Sequence, residues 1–150
     1  MQERFETFTV LINRISRDIR KIKNQEMADY HLRSAHVSCL YYVYSLGSVT
    51  SAELCEHCEE DKATISRAVD YLETNGFLLR DTGAKRYKSP LLLTDKGREA
   101  GKRIAEKISG ILETISHALT ENERIEFYRC LSTISRSLEA IVQNSEEKEM

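Results

Sequence analysis

Tryptophan is absent from this 150-residue sequence, proline occurs once, and glycine only six times. So little glycine and proline excludes collagen-like and low-complexity classes and argues against a turn-rich all-β sandwich. Long apolar runs are missing too. The longest, Cys39–Tyr44, falls far short of the ~18 residues needed to span a bilayer. There is no excess of one charge: 22 Lys and Arg stand against 24 Asp and Glu, a net of −2, which by itself predicts no polyanion partner. The first residues, Met1-Gln2-Glu3-Arg4-Phe5-Glu6, lack the charge pattern of a signal peptide, so the four cysteines are expected to be reduced thiols in the cytoplasm. No Gly-rich phosphate loop, H-E-x-x-H pair or nucleophile elbow occurs, so no enzyme and no cofactor is expected. What is present, 41% hydrophobic and 31% charged residues, fits one soluble globular domain that removes ~70% of its unfolded surface from water.

The apolar periodicity is mostly helical. Phe5, Phe8, Ile12, Ile15, Ile19 and Ile22 step by three and four, which places them on one stripe of a long amphipathic helix. Ser34 reads as the N-cap of a second helix through Val37, Leu40, Tyr41 and Tyr44, with Gly47 at its end. Thr50-Ser51-Ala52-Glu53 is a capping box opening a short third helix. Asp61 caps a fourth, whose inward face is Ile65, Ala68, Val69 and Leu72. The period then changes: Phe77–Arg80 and Ser89–Leu93 flank a charged segment and predict a β-hairpin, with Pro90 at the outer edge or start of its strand. Thr94 caps a fifth helix, and the capping box Thr120–Glu123 opens a sixth through Phe127, Leu131, Ile134, Leu138 and Ile141. The fold class is therefore mainly α with a small β-hairpin: a winged helix-turn-helix lobe at 34–94, with long helices at 1–30 and 95–145 for dimerisation.

Two short capped helices before a hairpin are the parts that place one helix in the DNA major groove and a basic loop on the adjacent minor groove or backbone. At ~100° per residue from Ile65, Ala63, Arg67, Asp70 and Thr74 point away from the core, flanked by Thr64 and Ser66, with Lys62 at the entry. Arg reads guanine bidentately, hydroxyls reach phosphates or base edges, and Ala accepts a thymine methyl. From Leu78 to Arg103, eight Lys or Arg stand against Asp81, Asp95 and Glu99, a local net of +5 on a weakly acidic chain.

The run Asp61-Lys62-Ala63-Thr64-Ile65-Ser66-Arg67-Ala68-Val69-Asp70-Tyr71-Leu72, continuing to Gly76-Phe77-Leu78, resembles the recognition helix of the MarR (multiple antibiotic resistance) regulators. Leu93-Thr94-Asp95-Lys96-Gly97 resembles that family's exit from the wing. Two positions depart from its pattern: the wing tip reads Gly83-Ala84-Lys85-Arg86-Tyr87-Lys88, and the turn before the recognition helix is Glu59-Glu60, where Gly and an apolar residue are usual. The resemblance implies a homodimeric, sequence-specific regulator of transcription, a repressor relieved by a small ligand, on a pseudo-palindromic operator in double-stranded DNA. Lys62, Ala63, Thr64, Ser66 and Arg67 would enter the major groove, and Lys85, Arg86 and Lys88 would carry the wing. The chain-end stripes Phe5, Phe8, Ile12, Ile15, Ile19, Leu131, Ile134, Leu138 and Ile141 would form the dimer interface.

Tyr30, His31, His36, Tyr41 and Tyr42, between the first two helices, fit two readings: a pocket for a small aromatic or anionic effector, which the family resemblance implies between the dimerisation and DNA-binding lobes, or plain interface packing. Cys55-Glu56-His57-Cys58 raises a metal or redox alternative. On a helix, however, His57 lies ~160° from Cys55, so three ligands do not converge. Cβ atoms ~5–6 Å apart do not suit a disulfide. Both cysteines therefore read as core fillers, indifferent to mild peroxide and to chelators, and no metal is expected. The alternatives are a protein-interaction module without specific DNA binding, or a redox- or metal-sensing regulator using Cys55 and Cys58.

Overall fold

A computed structural model of the chain describes residues 2–81 and 88–149. Its elements are α1 (Gln2–Glu26), α2 (Ser34–Leu46), α3 (Ser51–Cys58), α4 (Lys62–Thr74), β1 (Leu78–Arg80), β2 (Leu91–Leu93), α5 (Asp95–His117) and α6 (Glu121–Glu149). The chain divides within α5 into two compact units, Met1–Ile108 and Ser109–Met150.

In the first unit, α2, α3 and α4 converge on one core with the hairpin. Leu40, Val43, Leu54, Val69, Leu72 and Leu91 are completely buried there. Met27, Leu32 and Phe77 close its edges, and Ala100 and Ile104 bring in the first turns of α5. The local signals explain most boundaries. The Thr50 hydroxyl accepts the Glu53 N–H at 3.2 Å while the Glu53 carboxylate accepts the Thr50 N–H at 2.8 Å. Asp61 accepts the Thr64 N–H at 2.7 Å. Gly47, at φ 84°, closes α2 by donating to Val43 at 3.0 Å. Such hydrogen bonds satisfy backbone groups that a helix end leaves orphaned.

One boundary differs from expectation. Ser34 is not the cap of α2 but its first residue. The Arg33 N–H donates to His36 Nδ1 at 3.0 Å, and the Ser34 N–H donates to Asn24 Oδ1, from the end of α1, at 2.7 Å. A side chain ten residues upstream displaced the local candidate.

β1 and β2 pair antiparallel in the register Leu78↔Leu93, Leu79↔Leu92, Arg80↔Leu91. The period-2 pleat buries Leu78 and Leu91 and exposes Leu79 and Leu92. Pro90 precedes β2, where only its carbonyl is used, accepting the Asp81 N–H at 3.1 Å. On the other side of β2, the Leu91 N–H donates to Val49 at 2.8 Å, tying the hairpin back to the α2–α3 connection.

Thr94 joins the hairpin to α5. Its hydroxyl accepts the Gly97 N–H at 3.0 Å and donates to the Gly76 carbonyl at 2.6 Å, while its own N–H donates to the Phe77 carbonyl at 3.1 Å. The second unit is the remainder of α5 and α6, the latter opened by the expected capping box. The Thr120 hydroxyl accepts the Glu123 N–H and the Glu123 carboxylate accepts the Thr120 N–H. No helix among the described residues is long and apolar enough to cross a membrane.

Candidate nucleic-acid interface

α4 is anchored on one side and bare on the other. Ile65, Ala68, Val69 and Leu72 are buried, which fixes the rotation of the helix about its axis. Lys62, Ala63, Ser66, Arg67 and Thr74 are exposed on the opposite side, while Thr64 and Asp70 are half-buried at its margins. Arg67 Nη2 donates to the Thr64 hydroxyl at 3.3 Å, which holds the exposed guanidinium beside the first turn of the helix. The Thr64 N–H, and beside it Arg67, hold the Asp61 carboxyl below its ordinary value.

Arg80, at the end of β1, was not singled out from the sequence. Its Nε donates to Glu73 Oε1 at 2.7 Å and its Nη2 lies 3.9 Å from Asp70 Oδ1, with the side chain only 15% exposed. It ties the hairpin to the back half of α4 and offsets the two carboxylates on that half. A lone Arg at a strand end carries no sequence signal for a partner on a neighbouring helix. On the wing, Lys88 is exposed just before β2, whereas Lys85 and Arg86 lie outside the described residues.

The α3–α4 turn is acidic and exposed, as its sequence requires. Glu59 takes a left-handed backbone, φ 53°, and its N–H donates to the Cys55 carbonyl. That conformation, at the position where glycine is usual in the resembled pattern, costs on the order of 1–2 kcal/mol for a residue with a Cβ.

Four of the five effector candidates, Tyr30, His36, Tyr41 and Tyr42, make ring contacts within the first unit. Tyr30 meets the Phe77 ring edge-on at 6.2 Å. His36 stacks on Tyr71 at 4.3 Å, and Tyr71 in turn donates from its hydroxyl to the His31 carbonyl at 2.9 Å. Tyr41 packs edge-on against Tyr42, which stacks on His57 at 5.1 Å. His31 borders a recess that it shares with Asn24, Ala28, Leu32 and Arg33. A separate cavity of about 310 Å³ opens between α1 and the α2–α4 core. Ile12, Ile15, Ile19, Ala35 and Ile65 supply its apolar wall, Ser16, Ser34 and Ser38 its hydroxyls, and Arg20, Lys23, Glu60 and Cys58 its rim. Burial and the neighbouring Arg33 cation push His36 below the ordinary histidine pKa.

The chain-end stripes stand largely in the open. Phe5, Ile12, Ile15 and Ile19 are exposed on α1, with Phe8 and Ile22 half-buried. On α6, Ile134, Leu138 and Ile141 are exposed and Leu131 is half-buried. Ile125, Phe127, Tyr128 and Val142 are exposed there too. Among the described residues no group of three or more His, Cys, Asp or Glu is placed to hold a metal ion.

Residues 32–83, from the entry to α2 through the start of the wing, match the MarR family. An uncharacterised HTH-type transcriptional regulator of Bacillus subtilis (strain 168), YwoH, is 30% identical over 95 residues, covering 63% of this chain and 67% of that one. Among solved structures, the Neisseria meningitidis MarR family regulator NMB1585 superposes with a TM-score of 0.81 at 18% identity, over 95% of this chain and 98% of that one. The S. aureus MepR–DNA complex superposes with a TM-score of 0.77 at 18% identity, over 87% and 97%. The recognition-helix pattern, the hairpin register and these similarities agree, and the chain belongs to the MarR family of winged-helix transcriptional regulators.

Proposed function

We propose that this protein is a cytoplasmic, homodimeric repressor that binds a pseudo-palindromic operator and is released by a small ligand. The observation that carries the reading is α4: a helix locked by four buried residues, presenting Lys62, Ala63, Ser66 and Arg67 to solvent, with Thr64 at the margin. This face has the width and donor pattern for the edges of a few base pairs, and the MepR neighbour was solved on DNA. Lys85, Arg86 and Lys88 would supply wing contacts. A repressor dimer would occupy promoter DNA and exclude polymerase.

Dimerisation would use the stripes of α1 and α6, since exposed isoleucine, leucine and phenylalanine at helical spacing mark a surface that is covered in the working assembly. The stripes and long helices at 1–30 and 95–145 would form the dimer lobe, and 34–94 the DNA-binding lobe. The effector would occupy the cavity of about 310 Å³, whose apolar wall, hydroxyls and cations Arg20 and Lys23 suit an amphipathic anion. Preference of that ligand for one spacing of the recognition helices would lower operator affinity.

The test is duplex binding as a function of salt, on fragments selected from genomic DNA. A steep fall in affinity with salt is expected, because phosphate contacts release counterions and a protein partner's surface does not. Arg67→Ala should cost about 1–3 kcal/mol on the selected duplex and little on random duplex, with the circular-dichroism spectrum unchanged. Equal losses on both duplexes would make Arg67 a phosphate contact, and salt-independent binding would point to a protein-interaction module.

A further inference from the structure

The chain leaves α1 through a corner that Tyr71 of the recognition helix grips. After Glu26 the backbone makes a 3₁₀ turn at Ala28–Tyr30, and His31, at φ 57°, redirects it toward α2. The corner is stiff. The Tyr30 and Leu32 N–H groups donate to the Met27 carbonyl at 3.1 and 3.2 Å, the His31 N–H donates to Ala28 at 2.9 Å, and Met27 and Leu32 are buried. Both long segments assigned above to the dimer lobe meet it. From α1, Asn24 accepts the Ser34 N–H at 2.7 Å and Lys23 donates to the Ser38 hydroxyl at 3.0 Å. From α5, Lys107 pairs with Glu26 at 3.2 Å, while Arg103 pairs with Asp29 at 3.7 Å and lies over the Tyr30 ring.

Tyr71 reaches this corner in two ways. Its hydroxyl donates to the His31 carbonyl at 2.9 Å, across 40 residues of sequence. Its ring stacks on His36, in the first turn of α2, at 4.3 Å with 14° between the planes. The four buried residues of α4 seat that helix on the core of its own lobe. Tyr71 adds a link from the helix to the segment in which α1 ends. It stands four residues after Arg67 and seven after Thr64, on the flank that carries two of the side chains proposed for base-edge contact.

We propose that Tyr71 is a positioning residue for operator recognition, a strut that sets the separation of the two recognition helices by bracing each α4 against the corner between α1 and α5. The proposal rests on the homodimeric reading above. B-DNA turns by ~35° and rises by ~3.4 Å for each base pair, so two helices held rigidly accept one spacing of half-sites. Without the hydroxyl tie, α4 stays seated on its core but shifts more freely relative to the dimer helices. Affinity for the best spacing then falls, because the pair of helices is less preorganised, and the penalty for a wrong spacing shrinks with it. Phosphate contacts that one α4 makes on any duplex do not depend on that separation.

The hydroxyl is the atom to remove. Its bond to His31 lies at the surface, so Tyr71→Phe leaves no buried polar group without a partner and keeps the ring on His36. The urea midpoint of the variant should therefore stay close to that of wild type, which separates a loss of positioning from a loss of fold.

The test measures full-length wild type and Tyr71→Phe on the selected operator, on that operator with one base pair inserted or deleted between its half-sites, and on random duplex. Wild type should lose roughly tenfold or more on the altered spacers. Tyr71→Phe should bind the operator about three- to tenfold more weakly, discriminate spacers by about threefold or less, and match wild type on random duplex. A wild-type spacer profile in Tyr71→Phe overturns the proposal, and so do equal losses on operator and random duplex. Should wild type itself ignore spacing, the paired half-site reading fails, and amide exchange in the DNA-free protein decides whether Tyr71 braces the corner. Tyr71→Phe should then speed exchange at Tyr30, His31 and Leu32 by roughly threefold or more, and unchanged rates refute the strut.

Discussion

Three glycines of α5 offer one chemical change with opposite outcomes. By helix propensity alone, each Gly→Ala should stabilise the protein by up to ~1 kcal/mol. Gly110 has nothing within 4 Å of a new Cβ, so Gly110→Ala should follow that expectation. At Gly97 the new Cβ would stand 2.0 Å from the Phe77 carbonyl oxygen and 3.2 Å from Leu93 Cδ2. Carbon and carbonyl oxygen meet at ~3.3 Å, so α5 and the start of the hairpin must separate by more than 1 Å. Over that distance the hydrogen bonds from Thr94 to Phe77 and Gly76 cannot both persist, and each contributes about 1 kcal/mol. With an overpacking cost of about 1–3 kcal/mol, and the propensity gain set against it, Gly97→Ala should destabilise by about 2–4 kcal/mol. Gly101→Ala, whose Cβ meets Tyr44 Cβ at 2.8 Å, should also destabilise. Thermal unfolding at one fixed protein concentration should place Gly97→Ala about 5–15 °C below wild type and Gly110→Ala a few degrees above it. A Gly97→Ala protein as stable as wild type would refute the close approach of α5 to the wing strand.

Ile134→Glu with Leu138→Glu should convert a dimer to monomer with helicity retained, as read by light scattering and circular dichroism, and a persisting dimer would remove α6 from the interface. His36 binds its proton less readily folded than unfolded. Its contribution to stability is therefore complete above the unfolded value of about 6.5 and is lost as pH falls through the lower folded pKa. Between pH 7.5 and 5 the urea midpoint of wild type should fall more than that of His36→Asn, which keeps an acceptor for the Arg33 N–H but cannot titrate; parallel curves would exclude His36 from the pH response.

What the sequence disclosed was whatever rests on neighbours along the chain. The caps at Thr50, Asp61, Thr94 and Thr120 are three-residue devices, and each forms as its spacing implies. The inward face of α4 follows from a 3.6-residue period that a rigid core then enforces. Two features depend on segments far apart in sequence and gave no such signal. Asn24 reaches across from α1 to the start of α2, and Arg80 folds back from the hairpin onto α4. The ring partners of the aromatic candidates were equally silent in the sequence: Tyr30, His36 and Tyr42 pack on Phe77, Tyr71 and His57, rings that no local spacing links to them.

The ties made by Arg80 bear on how the protein would weigh against ionic strength. Asp70 and Glu73 sit on the half of α4 farthest from its cap, where bare carboxylates would face the approaching polyanion. Because Arg80 already answers them from inside the protein, it is not a cation that exchanges with the counterion cloud of DNA. Each phosphate neutralised adds about 0.9 to the slope of log affinity against log salt. The slope should therefore count the outward cations such as Lys62, Arg67 and Lys88 and omit Arg80, even though Arg80 belongs to the same basic stretch of sequence. A tally of basic residues would overstate the salt dependence by the one that is spent on holding the helix.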